Sequence, residues 1–544
     1  MQTLFQFGRQ LAVALAVLVA VLVAVLLPMA AAATPANLIT AQQLADKLAG
    51  GNMVLIDASP TPLYTAGHIP GAVSVDIFSL GGREVPAAEM QQRMRSWGIS
   101  AGSKVVVYDQ GGTMMATSLF YDLYYHGIPP ADLLLLDGGL FQWKAAGKPV
   151  TQTVPTPPPG NIVLNKARED VRVRLPEFLV ASGDPAKNAL IEALEPSYHY
   201  GETRFFDRAG HIPNAISLPV DDFYNADKTF KSPADIQKML DYLGIRRVQQ
   251  LHAHCGGGVA ASVPFFAARF LLDYPNVKLY KESQMEWLRD ERGLPFWTYA
   301  APGMKRDKVW LNGWGGDMLR AFGLAKISVV DVRSAEAFKL GHVPHARSLP
   351  AEIVRRHFAD PPALAAALTA AGINASDEAV IVSDSALNPD SALAFLALEK
   401  LGQKKVSVLM DSVDDWGLAG YRITKDAPAQ SKGGAKPYTA AQRSGIVIDS
   451  PSRTSGVYPK VYVAAGKSLP GRLPDGKVVH VPWSELLNAD GTPKEAKMLW
   501  SLLSKAGVPR YAEIICLADN PGEAAVSYYI LKLMGFPDVK VMVA

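Results

Sequence analysis

The chain has 544 residues, a net charge of +3, 49% hydrophobic residues and 19% charged residues. That length is too great for one hydrophobic core and predicts about three to five domains. The composition excludes a disordered chain. Because Lys and Arg form no block, no basic nucleic-acid-binding surface is expected. The two cysteines, Cys255 and Cys516, are too few for a disulfide scaffold.

The N-terminus carries a targeting signal. Arg9 precedes an unbroken run of 17 Leu, Ala and Val residues from Leu11 to Leu27, and Pro28 ends the run before four alanines at 30–33. This pattern is typical of a secretory signal peptide over residues 1–33, removed after export. An uncleaved membrane anchor is the alternative, because 17 apolar residues are near the lower limit for a membrane span. Either interpretation predicts a periplasmic or otherwise exported protein that meets the membrane only through this segment.

One motif recurs along the chain: an apolar run that ends in an acidic residue, followed by Gly-His-Ile-Pro or Gly-His-Val-Pro. The copies pair Asp57 with His68, Glu192 with His211, and Asp331 with His342. Each is followed by a helical stretch, a β-rich run, a polar loop, an apolar helix, a second β-run and a helix containing Trp. Alternating short strands and helices predict an α/β fold in which each unit is a mostly parallel sheet flanked by helices.

A fourth unit begins at Ile446 and is degenerate, because it lacks the histidine motif and the closing Trp helix. Linkers rich in Pro, Gly or Lys separate the units and fix their limits. The predicted domains are 38–153, 161–298, 306–425 and 440–544.

The loop after the second β-run is the predicted site, because ligands bind beyond the carboxyl ends of parallel strands. In the second unit this loop is Cys255-Gly256-Gly257-Gly258-Val259-Ala260. A thiolate is a nucleophile, and glycines let several N–H groups turn toward the sulfur as an anion nest. Aligned by sequence, the other units carry Asp109, Asp384 and Leu517 at the position of the thiol, so they are predicted to be inactive.

These motifs, together with Leu-Asp-Gly-Gly-x-x-x-Trp, resemble the rhodanese family over nearly all of the chain from Leu38. The first two units resemble tandem thiosulfate and 3-mercaptopyruvate sulfurtransferases, in which the second domain carries the cysteine. The loop of Cys255 is similar to the Cys-Gly-Ser-Gly-Val-Thr loop of the mercaptopyruvate enzymes, except that Gly257 replaces the serine and Ala260 the threonine.

The resemblance implies an exported sulfurtransferase in which a Cys255 persulfide carries sulfur from thiosulfate or 3-mercaptopyruvate to a thiol, cyanide or protein acceptor. It also implies that Arg204 and Arg208 bind the anionic donor, while a solvated, charged loop is the alternative for both. His254 is a candidate for tuning the pKa of the thiol, and a plain strand-end position is the alternative. The recurrent histidines are predicted to fix a turn, and no metal or cofactor is expected.

A binding or scaffold protein built from silent domains, which stores sulfur without catalysis, is the alternative function. The inactive domains favour it. The role of Cys516 is left open.

Overall fold

The structure is a computed structural model that describes residues 36–48, 50, 53–80, 84–426, 437–439, 441–450 and 456–543. The predicted signal segment, 1–33, lies outside the described residues. Within the described ranges, no helix has both the length and the apolar character needed to cross a membrane.

The strands form four separate sheets, one in each predicted domain, and every pair of neighbouring strands is parallel. The first sheet contains β1 Leu38–Ile39, β2 Met53–Asp57, β3 Val73–Ser74, β4 Lys104–Tyr108 and β5 Leu133–Leu136. The second contains β6 Asn188–Glu192, β7 Ala215–Ser217, β8 Gln250–His254 and β9 Val277–Leu279. The third contains β10 Lys305–Arg306, β11 Ile327–Asp331, β12 Arg347–Ser348, β13 Glu378–Val382 and β14 Lys405–Leu409. The fourth contains β15 Val447–Ile448, β16 Lys460–Ala464, β17 Lys477–His480, β18 Glu513–Leu517 and β19 Val539–Met542.

The sheets share one strand order, which confirms the predicted α/β fold of four parallel sheets flanked by helices. Read from the same edge, the orders are β1-β5-β4-β2-β3, β9-β8-β6-β7, β10-β14-β13-β11-β12 and β15-β19-β18-β16-β17. The second sheet lacks the short strand that begins the others. In its place Arg172 forms an isolated parallel bridge with Leu279. The degenerate fourth unit therefore keeps the complete sheet although it lacks the histidine motif. The third sheet begins at Lys305, one residue before the predicted domain limit.

Helices flank the first three sheets on both faces, whereas the two helices of the fourth domain bury their side chains in the core on one face of its sheet. The first domain contains α1 Ala41–Leu48, α2 Thr61–Ala66, α3 Ile77–Leu80, α4 Ala87–Ser96, α5 Met115–Tyr125 and α6 Gly139–Ala145. The second contains α7 Leu175–Ser182, α8 Pro196–His199, α9 Pro233–Tyr242, α10 Ser262–Phe266 and α11 Ser283–Arg289. The third contains α12 Lys308–Gly315, α13 Asp317–Ala321, α14 Ala335–Leu340, α15 Ala351–His357, α16 Pro361–Ala371, α17 Pro389–Lys400 and α18 Val413–Leu418. The fourth contains α19 Ala496–Ala506 and α20 Pro521–Leu533.

The four domains pack as two pairs, each with a shared core. In the first pair, α5 and α10 face each other, with the Phe120 and Phe266 rings edge to face at 5.0 Å and the Thr117 and Ser262 hydroxyls 2.8 Å apart. In the second pair, α17 and α20 do the same, with Phe395 against Tyr529 at 4.9 Å. These helices begin just after the predicted site loops. The loops of a pair therefore lie on either side of one interface.

The second domain also contacts the fourth. The Tyr200 and Trp500 rings stack at 5.1 Å, and the Tyr242 hydroxyl donates a hydrogen bond to the Ala512 carbonyl at 2.8 Å. The Arg510 guanidinium pairs with the Asp222 carboxylate at 2.6 Å. The two pairs thus meet through one domain of each.

Candidate functional site

The strand register fixes which residues are equivalent at the carboxyl ends of the central strands. The Cα pairs are Asp57 with Tyr108, Glu192 with His254, Asp331 with Val382, and Ala464 with Leu517. The next residues, which begin the site loops, are Asp109, Cys255, Ser383 and Ala518. The assignments of Asp384 and Leu517 to the thiol position are therefore wrong by one residue, because sequence alignment misjudged where β13 and β18 end. Cys255 remains the one cysteine at this position.

The Cys255 side chain lies under the site loop and is 2% exposed. Its Sγ accepts a hydrogen bond from the Gly258 amide at 3.0 Å. Gly258 has a φ of +84°, and a Cβ added there would lie 1.9 Å from the Lys281 carbonyl oxygen. Only glycine fits this turn, which brings an N–H group back onto the sulfur. An amide donor at this distance stabilises negative charge on the sulfur.

The rest of the predicted nest surrounds this turn. Gly256, Gly257, Val259 and Ala260 complete it, and a Cβ on Gly257 would meet nothing within 4 Å. Gly257 and Val259 are half-buried, whereas Gly256 and Gly258 are buried. The open side of the loop is therefore at Gly257, the position of the serine in the similar family loop.

The first turn of α11 and the loop before it hold the thiol loop in place. The Cys255 amide donates to the Ser283 hydroxyl oxygen at 3.0 Å, and the Ser283 Oγ lies 4.0 Å from Sγ. The Gln284 amide donates to the Cys255 carbonyl at 3.1 Å, and the Met285 amide to the Gly256 carbonyl at 3.0 Å. Sequence reasoning missed Ser283, whose φ of +52° is rare outside glycine. The sequence signal for it is its place four residues before Trp287, where the first unit has Gly139 before Trp143, and the φ of Gly139 is also +52°.

A buried ion pair supports the same loop from the first domain. The Lys281 ammonium lies 2.7 Å from the Asp122 carboxylate, and both side chains are nearly inaccessible to solvent. Asp122 belongs to α5, so this pair joins the two domains of the first pair directly beneath the Gly258 turn. Sequence reasoning missed this pair as well.

The two predicted donor-binding arginines differ in their surroundings. Arg208 donates a hydrogen bond to the Leu294 carbonyl at 2.7 Å and lies over the Phe296 ring. Arg204 is exposed and adjoins Phe205, whose ring rests on Gly256. Arg204 is thus an exposed residue of the segment whose Phe205 ring contacts the thiol loop, while the Arg208 guanidinium is engaged in fold contacts. Donor binding by either stays a prediction.

His254 lies on the face of the second sheet opposite to Cys255. Leu251, Ala253 and Cys255 face the core shared with the first domain, whereas the His254 ring contacts Phe178 at 5.3 Å on the other face. Burial lowers the pKa of His254 to about 4, so the ring is neutral near pH 7. Its position supports the strand-end alternative rather than a direct effect on the thiol.

The recurrent histidines fix a turn, as predicted. His68 Nδ1 lies 3.0 Å from the Tyr64 carbonyl, His211 Nδ1 2.7 Å from the His199 carbonyl, and His342 Nδ1 2.9 Å from the Phe338 carbonyl. Each ring also stacks on the ring of the residue whose carbonyl it contacts. In the described part of the chain, no group of three His, Cys, Asp or Glu side chains is arranged to hold a metal ion.

In the first domain, the Asp109 side chain occupies the nest formed by the site loop. The Asp109 carboxylate accepts hydrogen bonds from the Gly111 amide at 2.8 Å, the Thr113 hydroxyl at 2.6 Å and the Ala116 amide at 3.0 Å. An anionic side chain thus occupies the place of the thiol and uses the N–H donors of the loop.

A segment from the partner domain also covers this loop. The Tyr224 hydroxyl donates to the Thr113 carbonyl at 2.7 Å, and Lys228 packs against Gly112. In the second pair, the Leu387 amide donates to the Gly491 carbonyl at 3.0 Å. The covering segments share the sequence Asn-Ala-Asp-x-Thr, at 225–229 and 488–492. This repeat, which sequence reasoning missed, marks the second and fourth domains as equivalent.

Comparisons with known proteins agree with this architecture. A model of the rhodanese-like domain matches residues 40–146 and 316–419, in the first and third domains. The "Sulfur carrier protein TtuD" of Thermus thermophilus is 32% identical over 240 residues, which cover 41% of this chain and 84% of that protein. The chain belongs to the rhodanese family.

Other rhodanese relatives are named for two sulfur donors. The "Probable 3-mercaptopyruvate sulfurtransferase" of Pseudomonas aeruginosa is 32% identical over 280 residues, covering 47% of this chain and 96% of the relative. The "Thiosulfate sulfurtransferase" of Azotobacter vinelandii is 27% identical over 257 residues, which cover 46% of this chain and 93% of the relative. The crystal structure of SseA from Escherichia coli, one of the 3-mercaptopyruvate sulfotransferases, aligns with 25% identity and a TM-score of 0.42, covering 45% of this chain and 98% of that one.

Proposed function

We propose that this rhodanese is a sulfurtransferase with Cys255 as its nucleophile. One observation carries the proposal: Sγ of Cys255 lies at the carboxyl end of the central strand and accepts a hydrogen bond from the Gly258 amide at 3.0 Å. The donor stabilises a thiolate, the form of cysteine that attacks sulfur. The sulfurtransferase names of the relatives support the assignment of the reaction class.

The proposed reaction has two steps. The Cys255 thiolate attacks the outer sulfur of thiosulfate, a new S–S bond forms, and the old S–S bond breaks as sulfite leaves with the bonding electron pair. With 3-mercaptopyruvate, the C–S bond breaks instead, and the carbon takes up a proton to give pyruvate. In the second step, cyanide or a thiolate attacks the outer persulfide sulfur and releases the Cys255 thiolate. Amides around the loop stabilise the charge on the sulfur that is handed over.

Cys255→Ala and Cys516→Ala form a matched pair of variants that tests this function. Cys516 lies fully buried in the core of the second pair, and burial raises the pKa of its thiol well above the ordinary value. We expect Cys255→Ala to abolish cyanide-dependent turnover with thiosulfate and 3-mercaptopyruvate and the mass increase of one sulfur atom. Cys516→Ala keeps both. Unchanged turnover in Cys255→Ala would overturn the proposal.

A sulfur carrier without catalytic turnover is the second candidate. The low exposure of Cys255 favours it, and the similar protein of Thermus thermophilus is a sulfur carrier by name. A carrier accepts one sulfur atom but shows no steady-state turnover with a small acceptor. Thiocyanate formed with both thiosulfate and cyanide in excess therefore distinguishes them, because an enzyme makes many equivalents per Cys255 whereas a carrier makes no more than one.

We also propose that the protein is exported, since residues 1–33 have the pattern of a signal peptide. Fractionation of the producing cell and N-terminal sequencing of the protein test this. An intact N-terminus on a protein in the cytoplasmic fraction would contradict it, whereas an intact N-terminus in the membrane fraction supports the anchor alternative.

A further inference from the structure

The ring of Phe205 covers the thiol loop. A Cβ added to Gly256 would lie 2.9 Å from three carbons of this ring, so the ring rests directly on the glycine. Glycine at position 256 makes this close contact possible. The covered glycine adjoins Cys255, which is 2% exposed. A donor that reaches the sulfur must therefore pass the edge of this ring.

The segment that carries Phe205 is held mainly at its ends. The amides of Glu202 and Thr203 donate to the Ser197 carbonyl, and the Arg208 side chain holds the other end. In the described part of the chain, no backbone hydrogen bond is made by the amides of residues 204–207. Phe205 itself is 50% exposed and has aromatic neighbours in Tyr198 at 6.0 Å and Phe206 at 5.0 Å. A segment with few backbone hydrogen bonds opens at low free-energy cost.

The thiol loop is open at Gly257, where a Cβ would meet nothing within 4 Å. The segment that carries Phe205 also carries the exposed Arg204, and a guanidinium on this segment favours an anionic donor. A compact anion therefore has a route to the loop while the ring stays in place, whereas a bulky donor displaces the ring.

From this geometry we propose that Phe205 is a specificity-determining residue that limits the size of the sulfur donor reaching Cys255. Compact anionic donors, such as thiosulfate, pass the ring, and large persulfide donors are disfavoured. The proposal rests on the proposed function of Cys255 as the sulfur-accepting group.

The test compares Phe205→Ala with Phe141→Ala, a matched control from the first domain with a similarly exposed ring of 48%. The ratio of kcat/KM for glutathione persulfide to kcat/KM for thiosulfate is measured in each variant. We expect Phe205→Ala to raise this ratio about tenfold, because a cover that excludes a bulky substrate is removed. Phe141→Ala leaves the ratio unchanged. A ratio in Phe205→Ala equal to that of the wild type would overturn the proposal.

A second measurement separates this proposal from the function on which it rests. Alkylation of Cys255 by iodoacetamide and by a bulky maleimide is followed by peptide mass spectrometry, which needs no turnover. We expect Phe205→Ala to increase the rate of Cys255 alkylation by the maleimide more than the rate of alkylation by iodoacetamide. If Cys255 carries no sulfur but the bulky reagent is still accelerated selectively, the proposed function fails while the cover stands. If Phe205→Ala increases both alkylation rates equally, or increases neither, the proposal that Phe205 covers the thiol loop is overturned.

Discussion

Asp222 of the second domain and Arg510 of the fourth form an ion pair at 2.6 Å, although 288 residues separate them in the chain. Arg510 also donates to the Ser217 carbonyl at 2.8 Å, and the Tyr511 hydroxyl donates to Asp222 at 2.6 Å. The carboxylate raises the pKa of Arg510, so the guanidinium stays charged. This contact joins the cysteine-bearing domain to a domain without a thiol at the site position.

Replacing Arg510 tests what this contact contributes. Arg510→Met leaves the Asp222 carboxylate partly buried with one donor fewer, and we expect a loss of about 1–3 kcal/mol in the free energy of unfolding. Thermal denaturation measures it. The control is Arg292→Met, which breaks an exposed pair with Asp290 and should leave stability unchanged. Equal losses of stability in the two variants would mean that the interface ion pair contributes no more to stability than an exposed pair does.

The site glycines offer a second pair of variants. Gly258→Ala places a Cβ 1.9 Å from the Lys281 carbonyl at a left-handed backbone position, whereas Gly257→Ala enters open space. We expect Gly258→Ala to lower stability by about 1–3 kcal/mol or more and to abolish turnover, because the amide is moved off the sulfur. Gly257→Ala keeps the melting temperature. Turnover by a folded Gly258→Ala protein would show that the Gly258 amide is dispensable.

The buried histidines of the second domain predict a loss of stability in mild acid. Burial lowers the pKa of His199 and His211 to about 3, and that of His252 and His254 to about 4, from an ordinary 6.5. Below pH 6.5 the unfolded chain takes up protons that the folded chain does not, so stability falls by up to about 1.4 kcal/mol per pH unit for each histidine. Burial raises the pKa of Glu192, which acts in the opposite direction, but it is one group against four.

Denaturant unfolding at pH 7.5 and pH 5.5 measures this effect. His254→Phe removes one titrating group whose ring nitrogens lack hydrogen-bond partners within the described residues, and it keeps an aromatic ring against Phe178. We expect a smaller difference in stability between the two pH values. His357→Gln, in the third domain, is the control and leaves the difference as it is. An unchanged pH dependence in His254→Phe would show that this ring is protonated in the folded state.

Asp109 provides a test of the silent site. Asp109→Ala removes the acceptor of three hydrogen bonds and leaves buried donors unpaired, so we expect a loss of about 1–3 kcal/mol. Asp109→Cys places a thiol there but leaves Tyr224 and Lys228 over the loop. We therefore expect no persulfide at position 109 by peptide mass spectrometry. Its appearance would show that the covering segment is no barrier.

The repeat made most of the fold predictable from sequence. Acidic strand ends and histidine turns recur in three units, 11 residues apart in the first and third and 19 apart in the second. The parallel sheets and the position of Cys255 therefore follow from the repeat and its alignment. The wrong positions of Asp384 and Leu517 arose where the loops differ and only the strand register shows which residue comes first after the strand. The degeneracy of the fourth unit concerns its motifs, since its sheet is complete.

What sequence did not predict depends on contacts between distant segments. Lys281 and Ser283 reach the thiol loop from the connection after β9, and Phe205 reaches it from the segment after α8. His254 adjoins the thiol along the chain, but alternation of side chains across the strand places it on the other face. Closeness in sequence therefore predicted neither the residues that contact the thiol loop nor the face on which His254 lies.

The short segment from Val220 to Phe230 belongs to the second domain and contacts two others, the fourth through Asp222 and the first through Tyr224. A cut near residue 300 would separate Asp222 from Arg510. The first half would then expose a carboxylate and aromatic rings that face the second half, while Tyr224 still covered the Asp109 loop. The two pairs keep separate cores, so this interface is the feature that makes the four domains one body.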